Sequence, residues 1–291
     1  MRRPDMLQPS SLDAALTALT KRGTVPLAGA TDLIPAMRTG EIAPRVLVNL
    51  KKIPALSGLT RRRGALRIGA LTPVAGLLRD ALVAEGAPLL AEVARDFASP
   101  QIRSLATIGG NLCNAAPSAD LALPLLVLGA RVEIAGPEGA REMPIDEFFR
   151  GVNRTALRRG EILTAIAIPK RPVRSGAAHA KLGVRRAMDL AFVGVAASLR
   201  LAADKKKCRG ARIALGAVAP IPMRARKAEA VLEGKALTND LIDEAAAAAA
   251  AESRPVTDLR ASKEYRREMI AVLVRRVLRE ALRRARKEQS R

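Results

Sequence analysis

Two short glycine-containing segments are the residues of this sequence best suited to hold a ligand. They are Ala28, Gly29, Ala30, Thr31, Asp32 and Leu33, and Thr107, Ile108, Gly109, Gly110 and Asn111. Small residues let the backbone approach a ligand closely and adopt dihedral angles that other residues avoid. Successive free amide groups then form a concavity that binds anions. Because neither segment contains Lys or Arg, backbone amides and hydroxyl groups would hold a bound pyrophosphate, although a Gly-Gly pair is also typical of an ordinary turn.

Familiar catalytic and cofactor signatures are absent from the sequence. No two glycines are separated by a single residue, which excludes a G-x-G-x-x-G fingerprint, and His179 is not accompanied by a G-x-S-x-G nucleophile elbow. Two cysteines and one histidine are too few ligands for a structural zinc site or a [2Fe–2S] cluster. We therefore expect no catalytic residue and no metal site on this chain, and we interpret Cys113 as a small buried hydrophobic residue.

The net charge of +22 is concentrated in residues 170–212 and 260–291. Such a surface attracts nucleic acid, an anionic membrane or an acidic partner protein, or it is simply solvated. Only 2% of residues are aromatic, which argues against stacking platforms for single-stranded nucleic acid. No run of about 18 apolar residues and no secretory signal is present, so we expect no membrane span and a cytoplasmic location.

The elements that would position the two glycine segments alternate between short helices and strands. The patterns predict strands at 24–27, 46–49 and 162–168 and hairpins pairing 59–62 with 66–69 and 132–135 with 141–143. They predict helices from Ser10 or Ser11 to about residue 21 and at 33–38, 72–80, 88–97 and 121–128. Residues 169–176 read as a linker, followed by strands at 180–185, 193–201 and 211–217 and helices at 224–232, 239–253 and 262–286. This pattern predicts an α+β fold.

The surroundings of the second glycine segment strongly resemble a known family. The run SPQIRSLATIGGNLCNAAPSADLALP at 99–124 resembles the FAD-binding medium subunits of the xanthine dehydrogenase and carbon monoxide dehydrogenase (molybdenum hydroxylase) family. The first glycine segment resembles the A-G-G-T-D or A-G-G-Q-S motif of that family. The runs AKLGVRRAMD at 180–189, VGVA at 193–196 and DLRASKEYRR at 258–267 resemble its C-terminal flavoprotein domain. The likeness therefore spans nearly the whole chain in the right order.

The resemblance implies a non-covalently bound FAD with its diphosphate on the two glycine segments. It places Asp120 near the ribityl chain, where the alternative is a helix N-cap, and Lys181 near the flavin, where the alternative is a solvated charge. It places Phe97 and Leu163 beside the ring, where both are alternatively plain core residues. Arg103 is an additional phosphate candidate.

The resemblance also implies a domain organisation and partners. We expect a two-subdomain FAD-binding fold of the PCMH or vanillyl-alcohol-oxidase type at 1–170, split at about residue 54 (1–54 and 55–170). A C-terminal domain of a three-stranded antiparallel sheet and helices should follow at 177–291. A large subunit would hold a molybdenum cofactor and a small subunit [2Fe–2S] clusters, in a dimer of heterotrimers. Electrons would pass through FAD to NAD, oxygen or another acceptor, without nucleic acid as a partner.

Three departures and two alternatives accompany this interpretation. Ala30 stands where the family often has a second glycine, and His179 stands where an aromatic residue is often found. Two cysteines cannot supply the iron–sulfur loop that one related branch carries in this subunit. One alternative is a basic, non-enzymatic nucleic-acid-binding protein, which leaves the glycine segments unexplained. The other keeps the fold in a stand-alone flavin enzyme.

Overall fold

The computed structural model describes residues 3–62, 64–185 and 188–287. These residues form a mixed α/β structure with three larger sheets and one two-stranded sheet. Positions 186 and 187, which belong to the run at 180–189, and the last four residues of the expected C-terminal domain lie outside the described ranges.

The first sheet is parallel and three-stranded. Its region contains β1 (Asp5–Leu7), α1 (Leu12–Leu19), β2 (Thr24–Leu27), α2 (Leu33–Thr39) and β3 (Val46–Asn49). The strand order is β1-β3-β2. Both predicted strands are confirmed with their bounds, and Ser11 caps α1 by accepting a hydrogen bond from the amide of Ala14 at 3.2 Å. The helix is two residues shorter than predicted and buries Ala15, Leu16 and Leu19.

The second sheet is five-stranded and antiparallel. Its region contains the strands β4 (Leu59–Arg62), β5 (Ala65–Gly69), β6 (Arg131–Gly136), β7 (Gly139–Pro144), β8 (Phe149–Gly151), β9 (Arg154–Thr155) and β10 (Ile162–Ile168). The order is β4-β5-β10-β6-β7, while β8 and β9 form the two-stranded sheet. Both predicted hairpins and the strand at 162–168 are confirmed. Strand β10 lies between the two hairpins and is almost wholly buried.

Six short helices connect the two hairpins of this sheet. They are α3 (Val74–Leu77), α4 (Ala81–Gly86), α5 (Pro88–Arg95), α6 (Pro100–Leu105), α7 (Ile108–Asn114) and α8 (Ala122–Leu128). The single helix predicted at 72–80 is wrong, because α3 has only four residues and Asp80 caps a separate helix by accepting from the amide of Leu82 at 2.8 Å. Helices α6 and α7 were not predicted. The second glycine segment is therefore the beginning of a helix and not a loop.

The third sheet is antiparallel and belongs to the C-terminal region. This region contains β11 (Ser175–Leu182), β12 (Val193–Leu201), β13 (Cys208–Gly216), β14 (Met223–Arg224), α9 (Arg226–Leu232), α10 (Asn239–Glu252) and α11 (Lys263–Lys287). The three predicted strands are present, and the two-residue β14 adds a fourth at the edge. The predicted linker is too long, because Ser175 and Gly176 are buried in β11. A Cβ on Gly176 would lie 2.1 Å from the carbonyl oxygen of Ala281, so α11 packs directly on this strand.

The two faces of the third sheet contact different helices. Val195, Ile213 and Leu215 face one core, which also contains the buried residues of α9, α10 and α11. Ala196 and its register partner Ala214 face the other core, which also contains α8. Helix α8 therefore joins the second sheet to the third. Within the described ranges, no helix has both the length and the apolar character needed to cross a bilayer.

Candidate functional site

The first glycine segment lies against the backbone that leads into the second. A Cβ on Gly29 would lie 2.2 Å from the carbonyl oxygen of Leu105 and 3.0 Å from the Cα of Ala106. Only glycine permits this approach, because the neighbouring atoms belong to the main chain. The next residue, Ala30, has a φ of 62°, in the left-handed region that glycine adopts more easily. The structure thus brings the two segments together, and it places the positive φ at the alanine.

The second glycine segment forms the first turn of α7. Thr107 is the N-cap, and its hydroxyl oxygen accepts a hydrogen bond from the amide of Gly110 at 3.0 Å. A Cβ on Gly109 would lie 2.6 Å from the carbonyl oxygen of Ala70, whereas one on Gly110 would meet only the Thr107 hydroxyl, at 2.9 Å. Neither glycine has a positive φ. Gly109 is therefore required for packing against the Ala70 main chain, and the missing Cβ of Gly110 allows the Thr107 hydroxyl group to lie close to the start of the helix.

Asn111, the residue after Gly110, carries a buried hydrogen-bond acceptor. Its Oδ1 atom has no hydrogen-bond partner among the residues that the structure describes. A buried polar atom without a partner costs about 1–3 kcal/mol. An unpaired amide oxygen at the residue after Gly110 fits a bound group that carries hydroxyl donors.

Asp120 and Lys181 form a buried ion pair between the N-terminal and C-terminal regions. Their Oδ2 and Nζ atoms are 3.0 Å apart, and their side chains are only 12% and 16% exposed. Nζ also lies 3.4 Å from the carbonyl oxygen of Asp96. Burial raises the pKa of Asp120, Lys181 opposes this shift, and Asp96 adds to it. The ion pair is thus held at a considerable desolvation cost.

This geometry decides between the alternatives for the two charged residues. The N-cap of α8 is Leu121, and no side chain accepts a hydrogen bond there, so the interpretation of Asp120 as a helix cap is wrong. Lys181 is largely buried and paired, so the interpretation as a solvated charge is also wrong. The carboxylate and the ammonium group lie together, 61 residues apart in sequence.

Phe97, Arg103 and Leu163 occupy supporting positions. The Nη1 atom of Arg103 donates to the carbonyl oxygens of Arg95, Phe97 and Ala98 at 3.1, 2.7 and 3.2 Å. Arg103 therefore stabilises the turn that follows α5. Its Nη1 atom is used for this structural role and not for the phosphate contact that the resemblance suggested. Phe97 is half-buried against the main core, and Leu163 is buried in β10, against which α7 packs.

Two potentially reactive side chains are partly buried and neutral. Burial raises the pKa of Cys113 to about 12, so this residue is a thiol rather than a thiolate. Burial, and then the charge of Lys181, lower the pKa of His179 to about 4. The Nε2 atom of His179 is buried and has no hydrogen-bond partner in the part of the chain that the structure describes. Among the described residues, no group of three His, Cys, Asp or Glu side chains is placed to hold a metal ion.

The sequence-based interpretation missed the main-chain groups that complete this arrangement. The main chain of Gly29 packs against the carbonyl oxygen of Leu105, and the carbonyl oxygen of Asp96 lies next to the Lys181 ammonium group. Every residue carries a main-chain carbonyl oxygen, so the sequence does not indicate which of these oxygens takes part, whereas the folded structure does. Asn111 was included as part of the glycine segment, but its orphaned oxygen was not foreseen.

The fold and this site define a flavoprotein subunit, and family models agree with them. Residues 2–171 match the FAD binding domain in molybdopterin dehydrogenase, and residues 178–281 match the CO dehydrogenase flavoprotein C-terminal domain. The chain therefore belongs to the FAD-binding subunits of the molybdenum hydroxylase family. Its relatives are oxidoreductase subunits. The residues around Gly110 and Asn111 fit a bound FAD.

Individual relatives narrow the comparison. The chain is 38% identical to the carbon monoxide dehydrogenase medium chain of Afipia carboxidovorans over 97% of both sequences. It is 36% identical to the xanthine dehydrogenase FAD-binding subunit of Escherichia coli O157:H7 over 88% of both. Its structure matches carbon monoxide dehydrogenase from Hydrogenophaga pseudoflava with a TM-score of 0.94 and 34% identity, covering 97% of this chain and 98% of the other.

Proposed function

We propose that this chain binds one FAD non-covalently and transfers electrons within a molybdenum hydroxylase complex. Two observations carry this proposal: the buried Asp120–Lys181 pair, and the close approach of the first glycine segment to the residues that lead into the second. The ion pair supplies a hydroxyl acceptor and a cation at the positions where the resemblance expects the ribityl chain and the flavin ring. Family membership accounts for the glycine segments, which the nucleic-acid-binding alternative leaves unexplained.

Each part of the site has a role in holding the cofactor. Two groups of residues contact the diphosphate. The first segment, Ala28, Gly29, Ala30, Thr31, Asp32 and Leu33, offers backbone amides and a hydroxyl group, and the second, Thr107, Ile108, Gly109, Gly110 and Asn111, forms the first turn of α7. The amides of Ile108, Gly109, Gly110 and Asn111 already donate to Thr72, Ala70 and Thr107, so this turn contributes close main-chain approach and the Thr107 hydroxyl group rather than free amides. Asp120 accepts hydrogen bonds from ribityl hydroxyl groups, and Lys181 stabilises negative charge on the reduced ring. Phe97 and Leu163 pack near the ring. When bound, FAD can exchange one or two electrons, and the protein supplies its binding, orientation and electrostatic environment.

The proposal extends to partners and domains. A large subunit would hold the molybdenum cofactor, and a small subunit would deliver electrons from [2Fe–2S] clusters. NAD or another acceptor would receive them, in a cytoplasmic dimer of heterotrimers. The FAD-binding domain would span 1–170, with subdomains at 1–54 and 55–170, and the C-terminal domain 177–291. The proposal of partner subunits is supported by the description of its relatives as medium chains. The proposed division into two domains is supported by the residue ranges that the two family models match.

Flavin analysis of the purified complex tests the cofactor assignment. We expect a flavin absorption spectrum and complete release of flavin into the supernatant on acid precipitation, because Cys113 is a partly buried, neutral thiol and no other side chain demands a covalent link. Flavin retained in the pellet would contradict non-covalent binding. A complex without any flavin would refute the proposed function.

Variants at Gly110 and Asp120 test the site. Gly110→Val should abolish flavin binding, because its branched side chain would project from the first turn of α7 into the proposed diphosphate site. Gly151→Val is the matched control, since a Cβ on Gly151 makes only ordinary contacts, 3.8 Å from Arg154. Asp120→Ala should weaken binding by roughly 1.5–3 kcal/mol, the value of a hydrogen bond to a charged group. A Gly110 variant that titrates with flavin as the parent does would show that the diphosphate assignment is wrong.

A further inference from the structure

A large cleft opens at the end of the third sheet that is farther from Lys181. Its volume is about 1210 Å³, larger than the roughly 300–1,000 Å³ typical of small-molecule sites. Its walls are the ends of α5, α8 and α11, the strands β11, β12 and β13, and the connection 169–172. Residues 181 and 177 of β11 are four positions apart, which corresponds to about 13 Å along a strand. The cleft is therefore separate from the candidate cofactor site.

The cleft exists because α8 is shorter than the sheet it covers. The hydroxyl group of Ser198 donates to the carbonyl oxygen of Val127 at 2.8 Å, where the helix ends. On the covered part of the face, Ala196 pairs with Ala214, and both are fully buried. Two residues further along the strands, Ser198 pairs with Arg212 on the same face. The face thus changes from apolar to cationic where the helix stops.

Arg212 is built into the wall of the cleft. A Cβ on Gly129 would lie 2.1 Å from Nη1 of Arg212, so the glycine that ends α8 makes room for the guanidinium group. Burial lowers the pKa of Arg212, and the neighbouring Arg224 lowers it further. Arg212 forms no ion pair with any carboxylate among the described residues; nearby Glu229 is already paired with Arg224. The two carboxylates whose charges act on Arg212, those of Glu229 and Asp146, are thus already paired with other arginines of the described ranges.

The lining as a whole is strongly positive. Nine Lys or Arg residues and only two Glu residues border the cleft, and one of the two, Glu92, is paired with Arg284 at 2.8 Å. Leu89, Leu128 and Ala177 supply an apolar part of the lining. Eight of the nine cations come from the two basic stretches of the sequence, so part of the large positive charge faces a concave surface.

We propose that this cleft binds an acidic segment of a partner subunit. The inference rests on the proposed function, which makes the chain one component of a complex. Arginine clusters recognise acidic motifs, and a peptide can place carboxylates on Arg212, Arg200 and Arg209 and apolar side chains on the half-buried Leu128 and Ala177. A free phosphate or a nucleic-acid backbone would satisfy the cations and leave the apolar lining exposed.

Charge reversal in the assembled complex tests the proposal. Arg200 and Arg209 are exposed and form no ion pair with another described residue, so Arg200→Glu/Arg209→Glu should fold normally. We expect its dissociation constant for the partner subunits to rise about tenfold to a hundredfold at physiological salt, because like charges would face each other. The matched control is Arg150→Glu/Arg276→Glu, which reverses two exposed charges outside the cleft and should change the constant less than about threefold.

A photo-crosslinking residue at position 209 of the purified complex identifies the occupant. We expect crosslinks to an Asp- or Glu-rich peptide of a partner subunit. Crosslinks only to other segments, or unchanged assembly of the Arg200/Arg209 variant, would overturn the proposal. If the cleft binds ATP or inorganic phosphate tightly, and Arg212→Gln abolishes this binding without affecting assembly, the ligand is a small anion and the peptide proposal is wrong. Flavin is measured in parallel, because a flavin-loaded variant that assembles normally refutes only the cleft proposal, whereas a flavin-free parent refutes the proposed function.

Discussion

His179 is the single histidine of the chain, and its protonation gives a direct test of the buried site. Burial and the positive charge of Lys181 lower its pKa from 6.5 to about 4. The imidazole of the folded protein is therefore neutral at physiological pH. We predict one histidine signal in an NMR titration of the full chain, shifting only as the pH approaches about 4.

The low pKa has a defined effect on stability. Between about pH 6.5 and pH 4 the unfolded chain binds a proton at His179 that the folded chain does not bind. The contribution of His179 is thus fully present above pH 6.5 and is lost as the pH falls through this window. The gap between the two pKa values corresponds to about 3 kcal/mol, since one pKa unit equals 1.36 kcal/mol.

Urea denaturation at a series of pH values measures this contribution. The parent should lose more free energy of unfolding than His179→Gln between about pH 7 and pH 4.5, because glutamine does not titrate. Carboxylates titrate in both proteins, so their effect cancels in the difference. If the stability curves of the parent and His179→Gln run parallel, or if the histidine signal titrates near pH 6.5, the burial of His179 is refuted.

Three further changes test the surroundings of the site. Asn111→Ala should leave the stability of the flavin-free protein unchanged or slightly higher in urea, because it removes an unpaired buried oxygen, and it should weaken flavin affinity by about tenfold in a flavin titration. Arg103→Met should lower the free energy of unfolding by roughly 1–3 kcal/mol and loosen the turn at Phe97, whereas Gln101→Met on the exposed side of the same helix should not; equal stabilities would contradict the role of the guanidinium group. Ala30→Gly should raise the free energy of unfolding by about 1 kcal/mol, since glycine adopts a φ of 62° without strain, and a loss of stability would exclude the left-handed conformation.

Sequence patterns predicted strand bounds well where turn residues flank a short segment. Strands β2, β3, β10 and β12 are mainly apolar and have the predicted bounds, and β4 (Leu-Thr-Arg-Arg) has them because it lies between Gly58 and Gly64. The pattern failed at α7, where the pair Gly109-Gly110 is typical of a turn. Thr107 is a favourable N-cap residue, but propensity alone does not show that packing against Ala70 requires glycine.

Long-range contacts explain the remaining differences. The composition of residues 169–176 is typical of a linker, yet α11 covers Gly176 so closely that a side chain cannot fit. Asp120 and Lys181 were expected near one cofactor only through the family resemblance, since nothing in either local sequence predicts their ion pair. The position of Arg212 against Gly129 was likewise invisible, because it depends on where α8 ends over the sheet.

The ion pair between Asp120 and Lys181 also sets an order of events during synthesis. Its two residues are 61 positions apart, so at translation rates of about 5–20 residues per second the lysine is made roughly 3–12 s after the aspartate. Strand β11, which carries the lysine, is held by β12, whose last residue is Leu201. A nascent chain therefore presents the glycine segments before the charged side of the site can close. The ion pair itself can form only after the C-terminal sheet has emerged from the ribosome.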